Sequence, residues 1–305
     1  MTETVSIIIP AFNVENEVER SVNSIIEQTY RDIEIIIIND GSTDRTLSII
    51  ERQALIDDRI KIINQENAGQ SVARNKGIDV AIGRYIYFFD ADDFLQKNAI
   101  FELVSNIKQN NTDVVTFNAD AIDLNKKNQK PYVRHNVVGN KGVYSRNQFL
   151  YNNKWNLTPV WIYFFQRSFL LDHQIRFVED IIYEDNMFYI EIMLHLKRIS
   201  IVDKTLFFYQ KREHSTITSL ENYKFKLESL DTLKKLTIEE RCNYDSNDIF
   251  LKFLKYRYEV INNAIISHHF NGSFYSGMVY LVKAKKINLK NIFLLCKLTV
   301  KQFIR

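Results

Sequence analysis

Three carboxylates stand within four residues at Asp90-Ala91-Asp92-Asp93. Mg²⁺ and Mn²⁺ take carboxylate and phosphate oxygens together, so this spacing suggests a divalent cation held through Asp90 and Asp92. Asp93 could instead cap a helix beginning near Lys97. Other ways of holding phosphate are excluded: the first loop, PAFNVENE from Pro10 to Glu17, has no glycine, which rules out a dinucleotide cradle and a P-loop. A second acidic pair, Glu184-Asp185, opens YEDNMFYIEIML. Acidic residues favour the first turn of a helix, so a solvated helix start is one reading. With Tyr183, Met187 and Ile190 on an apolar face, the pair could sit at the mouth of a crevice.

Bringing such groups together requires a scaffold, and the chain supplies its signal. Short apolar runs recur at VSIII (5–9), EIIII (34–38), IKII (60–63), YIYFF (85–89) and DVVTF (113–117), each fitting a strand buried on both faces. Between them, apolar residues fall at helical spacing: Val18, Val22, Ile25, Ile26 and Thr29; Leu47, Ile50 and Ala54; Val72, Ala73 and Ala81; Ile100, Leu103, Val104 and Ile107. Alternating strands and helices predict an α/β layer with right-handed crossovers. Ligands bind such sheets outside the carboxyl ends of the strands. Polar residues cluster there: Ala11-Phe12-Asn13, Asn39-Asp40-Gly41-Ser42, Gln65-Glu66-Asn67 and Asp90 to Asp93. Asp40 could accept a nucleobase N–H or simply build a turn with Gly41.

VSIIIPAFN, EIIIINDGSTD, NAGQSVARNKGI, YIYFFDADD and YEDNMF, in that order and each at a strand end, resemble the inverting family 2 glycosyltransferases over residues 5–215. The resemblance implies a GT-A fold, mostly parallel and flanked by helices, and transfer from a UDP-sugar donor to a glycan or glycolipid hydroxyl. It implies nucleotide contacts from Pro10, Ala11, Asn13, Asn39, Asp40, Asn67, Arg74, Asp90 and Ala91, with Arg74 on the ribose or phosphate side. Asp90 and Asp92 would bind Mn²⁺ or Mg²⁺, with His214 completing the shell and Arg212 or His214 neutralising the diphosphate. Asp185 would take the acceptor proton, with Glu184 as lesser candidate. Trp161 could stack on an acceptor sugar or fill the core. Arg74 and His214 each also read as ordinary solvated residues.

Composition sets the remaining bounds. Residues 1–120 carry 11 Lys+Arg against 20 Asp+Glu, and residues 121–305 carry 29 against 17. The acidic part would repel nucleic acid and could hold a cation. Between Val260 and Arg305 there is no acidic residue, and seven Lys+Arg lie between Lys283 and Arg305. Leu289, Ile292, Phe293, Cys296, Val300 and Phe303 share one helical face there, predicting either a basic amphipathic helix on an anionic membrane or a packing helix. The expected domains are 1–215, with a nucleotide half to 117 and an acceptor half from 118, and a mainly helical extension over 216–305. No leader or spanning run is seen, so a cytoplasmic location, peripheral at the inner membrane face through 283–305, is expected. Cys242 and Cys296 have no metal or redox spacing. With no Gln-x-x-Arg-Trp motif, single-sugar transfer, in bacterial surface polysaccharide synthesis, is preferred to processive synthesis. A non-catalytic nucleotide-sugar-binding subunit is the alternative, and it would tolerate decay at the metal or base position.

Overall fold

The computed structural model describes residues 3–122, 132–135, 142–153 and 159–210, together with helical residues 232, 235, 252–256 and 259. Arg212, His214 and the 283–305 segment lie outside the described residues. The chain divides into two compact units, Met1–Asp180 with Glu184–Ser215, and Ile181–Tyr183 with Thr216–Arg305. Every strand and helix named below lies in the first.

The opening β1 (Val5–Ala11), α1 (Val18–Ile26), β2 (Ile33–Asp40), α2 (Thr46–Ala54), β3 (Ile60–Gln65), α3 (Gln70–Val80) and β4 (Tyr85–Phe88) alternate as the apolar runs require. There follow β5 (Phe94–Leu95), α4 (Ala99–Asn110), β6 (Val114–Ile122), β7 (Tyr132–His135), β8 (Gly142–Ser145) and α5 (Arg146–Asn152). A 3₁₀ turn (Val160–Ile162), β9 (Tyr163–Gln166), α6 (Arg167–Asp172), α7 (Asp185–His195) and β10 (Arg198–Gln210) complete the unit. One mixed sheet has the order β3-β2-β1-β4-β9-β6-β10-β5, with β7 on β6 and β8 on β10. No described helix is long and apolar enough to cross a membrane.

β1 and β2 are buried along their whole length, because helices cover both faces of an inner parallel strand. Two sequence expectations need correction, one for β3 and one for the helix ends. β3 is an edge strand in which Ile60 is buried, Lys61 exposed and Ile62 and Ile63 half-buried, so Ile60-Lys61-Ile62-Ile63 is not buried on both faces. β9, which none of the apolar runs above marks, enters antiparallel between β4 and β6. α1 stops at Ile26, leaving Thr29 exposed beyond its end, and Ala81 lies just past α3 in extended conformation. α4, by contrast, buries Ile100, Leu103, Val104 and Ile107 as their spacing requires.

The amino ends of the strands are fastened by Glu34. It accepts hydrogen bonds from Ser6 Oγ and from the N–H groups of Ile82 (2.8 Å) and Gly83 (3.1 Å), and pairs with Lys61 at 2.8 Å. Burial raises its pKa, but Lys61, Ser6 and the Ile82 N–H outweigh burial and hold the carboxyl below its ordinary value. The opposite, carboxyl edge is thereby left to the loops.

One close approach fixes α3 on the sheet. A Cβ at Gly77 would lie 2.3 Å from Ile8 Cγ2 in the middle of β1, so only glycine lets the helix come this near. Arg74 sits one turn earlier and owes its depth to that contact. Gly77→Val should lower unfolding stability by about 1–3 kcal/mol despite valine's better helix propensity, because overpacking exceeds the propensity gain. Denaturant unfolding checks this, and an unchanged or raised midpoint would contradict the packing argument.

Candidate active site

The loops at the carboxyl edge are tied to one another before any ligand is considered. Pro10 and Ala11 end β1 in buried positions, and Asn13 follows at φ +49°, a left-handed conformation that asparagine tolerates. Its Oδ1 accepts the Thr43 N–H at 2.8 Å, and its own N–H donates to Ser42 Oγ at 3.2 Å, joining the first loop to the second. Asp44 carries the start of α2, accepting N–H bonds from Thr46 (2.9 Å) and Glu15 (3.1 Å). Asp40 is therefore not needed for that helix start and faces the third loop.

Asp40 is 4 % exposed; its Oδ1 accepts from Gln65 Nε2 and the Ala68 N–H, both at 2.8 Å, and its Oδ2 from the Gly69 N–H at 2.9 Å. A carboxylate offers about four acceptor positions, so these three donors leave one on Oδ2. Asn39, also buried, donates to Asn64 Oδ1 at 3.2 Å, while its own Oδ1 has no partner among the described residues. Asn67 is exposed, and its backbone closes on Gly41, whose φ of +71° turns the chain there.

Arg74 is the centre of the site. It is 2 % exposed, and one Nη donates to Asp90 at 2.8 Å while the other reaches Glu184 at 2.8 Å and Asp185 at 3.2 Å. Its guanidinium lies 5.0 Å over the Phe177 ring, which stacks on Phe188 of α7 at 3.9 Å. Burial alone would lower the guanidinium pKa, but the charges of Asp90, Asp185 and Glu184 outweigh burial and raise it. Arg74 thus joins α3, the turn after β4 and the start of α7. Asn75 beside it accepts the Phe177 N–H and donates to the Phe177 carbonyl, both at 2.9 Å, pinning the chain that leads to α7.

Glu184 stands at the N-cap position of α7 without a side-chain cap bond, and Asp185 is the first helical residue, so the positive end of the helix dipole also favours both carboxylates. Asp185 Oδ2 accepts the Val160 N–H at 3.2 Å, and its side chain keeps 23 % exposure at the crevice. Burial, opposed by Arg74 and the Val160 N–H and reinforced by Glu184 and Asp90, raises its pKa from 3.8 to about 7. Tyr183 precedes the helix rather than lining its apolar face, and α7 is buried through Met187, Phe188, Tyr189, Ile190, Ile192 and Met193.

The three aspartates of the turn after β4 differ in role. Asp90 and Asp92 are half-buried at the crevice, with Ala91 buried between them. Asp93 does not cap a helix: it is fully buried and accepts the Gln210 N–H at 2.8 Å, and α4 begins only at Ala99 after Asn98. Among the described residues no three acidic, histidine or cysteine side chains converge as a metal cage. Mg²⁺ and Mn²⁺ keep waters and phosphate oxygens and need only one or two protein carboxylates, which Asp90 and Asp92 would supply. The three carboxylates on Arg74 exceed its single charge, so the site favours a further cation. Trp161 is corrected toward the core reading. It is 5 % exposed and stacks on Phe207 at 4.3 Å and 7°, with Tyr209 near-parallel at 6.2 Å, so it does not present an open face to a sugar.

Residues 6–172, more than half of the chain, match the family model described as Glycosyl transferase family 2. The chain is 32 % identical over 228 residues to the uncharacterized glycosyltransferase EpsJ of Bacillus subtilis, covering 70 % of this chain and 63 % of that protein. It therefore spans less than two thirds of that relative. It is 28 % identical over 269 residues to a cholesterol galactosyltransferase of Borreliella burgdorferi, covering 82 % of this chain and 73 % of the relative. Among solved structures, S. aureus TarS 1–349 in complex with UDP-GlcNAc superposes with a TM-score of 0.66 at 22 % identity, over 97 % of this chain and 79 % of that one. This supports the GT-A architecture, a mostly parallel sheet flanked by helices.

The buried cluster makes a stability prediction. Asp185's folded pKa lies above its unfolded one, so its contribution is fully present below about pH 3.8 and lost as pH rises through about 7. Arg74→Gln removes the counter-charge of three carboxylates and should cost about 3–5 kcal/mol at pH 7.5. The loss should shrink at pH 5, where Asp185 is protonated in the folded state and needs less counter-charge. Urea unfolding at both pH values tests this, and wild-type stability at pH 7.5 would contradict it.

Proposed function

The chain belongs to glycosyl transferase family 2, and from that premise we propose that it moves one sugar from a UDP-sugar onto a glycan or glycolipid hydroxyl, with inversion and divalent-metal dependence. The observation that carries the reading is Arg74 gathering Asp90, Glu184 and Asp185, contributed by separate parts of the chain, at the carboxyl edge of the sheet. UDP is favoured because Asp40 retains an acceptor position for a uracil N–H, and because TarS in the structural comparison holds UDP-GlcNAc. The lipid-directed galactosyltransferase relative supports a glycolipid among the acceptors, and surface polysaccharide synthesis is the proposed setting.

Asp40 and Asn39 would hold the base, and Asp90 and Asp92 the cation. Bound Mn²⁺ or Mg²⁺ would neutralise charge on the departing diphosphate. Asp185 then receives the acceptor hydroxyl proton as the oxygen bonds to the anomeric carbon. The bond from that carbon to the phosphate oxygen breaks, and UDP leaves with the electron pair. Attack opposite the leaving group inverts the centre. Glu184, bonded to the same guanidinium, holds Arg74 beside the base. Arg74 in turn favours the ionised form of Asp185, opposing the burial that would otherwise keep it protonated.

Released nucleotide from a panel of nucleotide sugars identifies the donor. Asp185→Asn should bind UDP with Mn²⁺ nearly as wild type but transfer about 10²–10⁴-fold more slowly, because a general base acts only as the proton moves. Asp92→Asn should weaken Mn²⁺-dependent UDP binding as well. Calorimetry beside transfer rates separates the two, and near wild-type transfer by Asp185→Asn would move the base elsewhere, first to Glu184. Full activity in excess EDTA would remove the metal.

A further inference from the structure

The catalytic reading leaves unused a polar stripe that runs along α1 and just past its end to Gln28. Arg20, Ser24 and Gln28 stand four residues apart, and each bonds the main chain of the segment that follows β4. Arg20 Nη2 donates to the Asp92 carbonyl at 3.2 Å, and Ser24 Oγ accepts the Leu95 N–H at 3.2 Å. Gln28 Nε2 donates to the Gln96 carbonyl at 2.9 Å, and its Oε1 accepts the Ile100 N–H at 3.1 Å. Ser21 adds a hydroxyl to the Asp90 carbonyl at 3.4 Å. Main-chain groups that the sheet ladder leaves over need partners, and α1 together with Gln28 just past its end supplies them.

Arg20 makes a second tie. The same guanidinium bonds Gln210 Oε1 at the end of β10 and lies 5.2 Å over the Phe94 ring, which stacks on Phe208 at 5.0 Å and 18°. Gln210 in turn gives its N–H to Asp93 at 2.8 Å. The turn bearing Asp90 and Asp92 is thus registered on one side to α1 and on the other to β10. Both bonds leave Nη2 while the planar guanidinium lies on the Phe94 ring, a stacked geometry that a tetrahedral ammonium on a shorter stem does not reproduce.

We propose that Arg20 is a positioning residue for the turn that holds the cation and donor diphosphate: it fixes the Asp92 main chain and so the aim of the Asp92 carboxylate. This rests on the metal-dependent reading above. Groups that orient metal ligands typically change metal affinity by about 10–100-fold when removed. Arg20 touches neither donor nor cation in this account, so its effect belongs to binding geometry.

The test is calorimetric UDP binding with and without Mn²⁺ for wild type, Arg20→Met, Arg20→Lys and Gln210→Met, beside thermal melting and donor kinetics. Wild type should bind UDP in a Mn²⁺-dependent way, and both Arg20 variants should weaken that binding by at least about 10-fold. KM for the donor should rise more than kcat falls. Restored affinity in Arg20→Lys would show that charge rather than geometry acts and would overturn the proposal. Unchanged affinity in an Arg20 variant that melts like wild type would overturn it equally. Should Arg20→Met not fold, Gln210→Met decides: it keeps the guanidinium but removes its second anchor, so weaker binding supports the proposal and wild-type affinity refutes it. Absence of Mn²⁺-dependent binding in the wild type would instead defeat the metal reading, and the proposal with it.

Discussion

A single buried cation holds this site together. Arg74, 2 % exposed, is bonded to carboxylates from the turn after β4 and from the start of α7, so elements about 100 residues apart in sequence meet on one guanidinium. An unpaired charge at that depth would be very costly, and so would the carboxylates without it. The two requirements lock together: the chain must fold with the donor-side turn and the base-bearing helix side by side, or leave buried charge uncompensated. Gly77 lets α3 approach β1, and the Phe177 and Phe188 stack supplies the apolar floor on which the guanidinium lies.

The electrostatics follow from the stoichiometry. Three carboxylates share one guanidinium, and Asp185 meets both burial and the like charges of Glu184 and Asp90, which raise its pKa. A carboxyl poised near neutrality can accept a proton from an alcohol and release it again, which one held at the ordinary value does less well. The turn with Asp90 and Asp92 gains its rigidity differently, from the side chains of α1 that bond its carbonyl and N–H groups. One half of the site is held by charge and the other by neutral and charge-assisted bonds to main chain.

Much of this was legible in the sequence, for physical reasons. VSIII and EIIII read as inner strands because burial on both faces demands apolar residues at every position, and the polar clusters mark the strand ends. β9 was not legible: Tyr163 to Gln166 is a short aromatic run without alternation, and nothing local says that it enters antiparallel between β4 and β6. β10 is broken by register shifts between Val202, Thr205 and Phe207, which blur its period. Asp93 read as the cap of a helix beginning near Lys97, and its burial and its bond to the Gln210 N–H, which ties it to a strand far along the chain, were not legible locally. Arg74 read as a donor-facing or solvated helix residue, because its three partners lie in motifs far along the chain. Trp161 suited either stacking or core, and packing against Phe207 decided for the core.

The protonation of Asp185 is the property on which the proposed base role depends most directly. Carbon-13 NMR of protein labelled at the aspartate carboxyl carbon follows each carboxyl through a pH titration, and the resonance absent from Asp185→Asn identifies the one in question. The account predicts that this resonance titrates near pH 7, well above the ordinary 3.8. Titration at the ordinary value would contradict a base raised by burial among the carboxylates that Arg74 gathers.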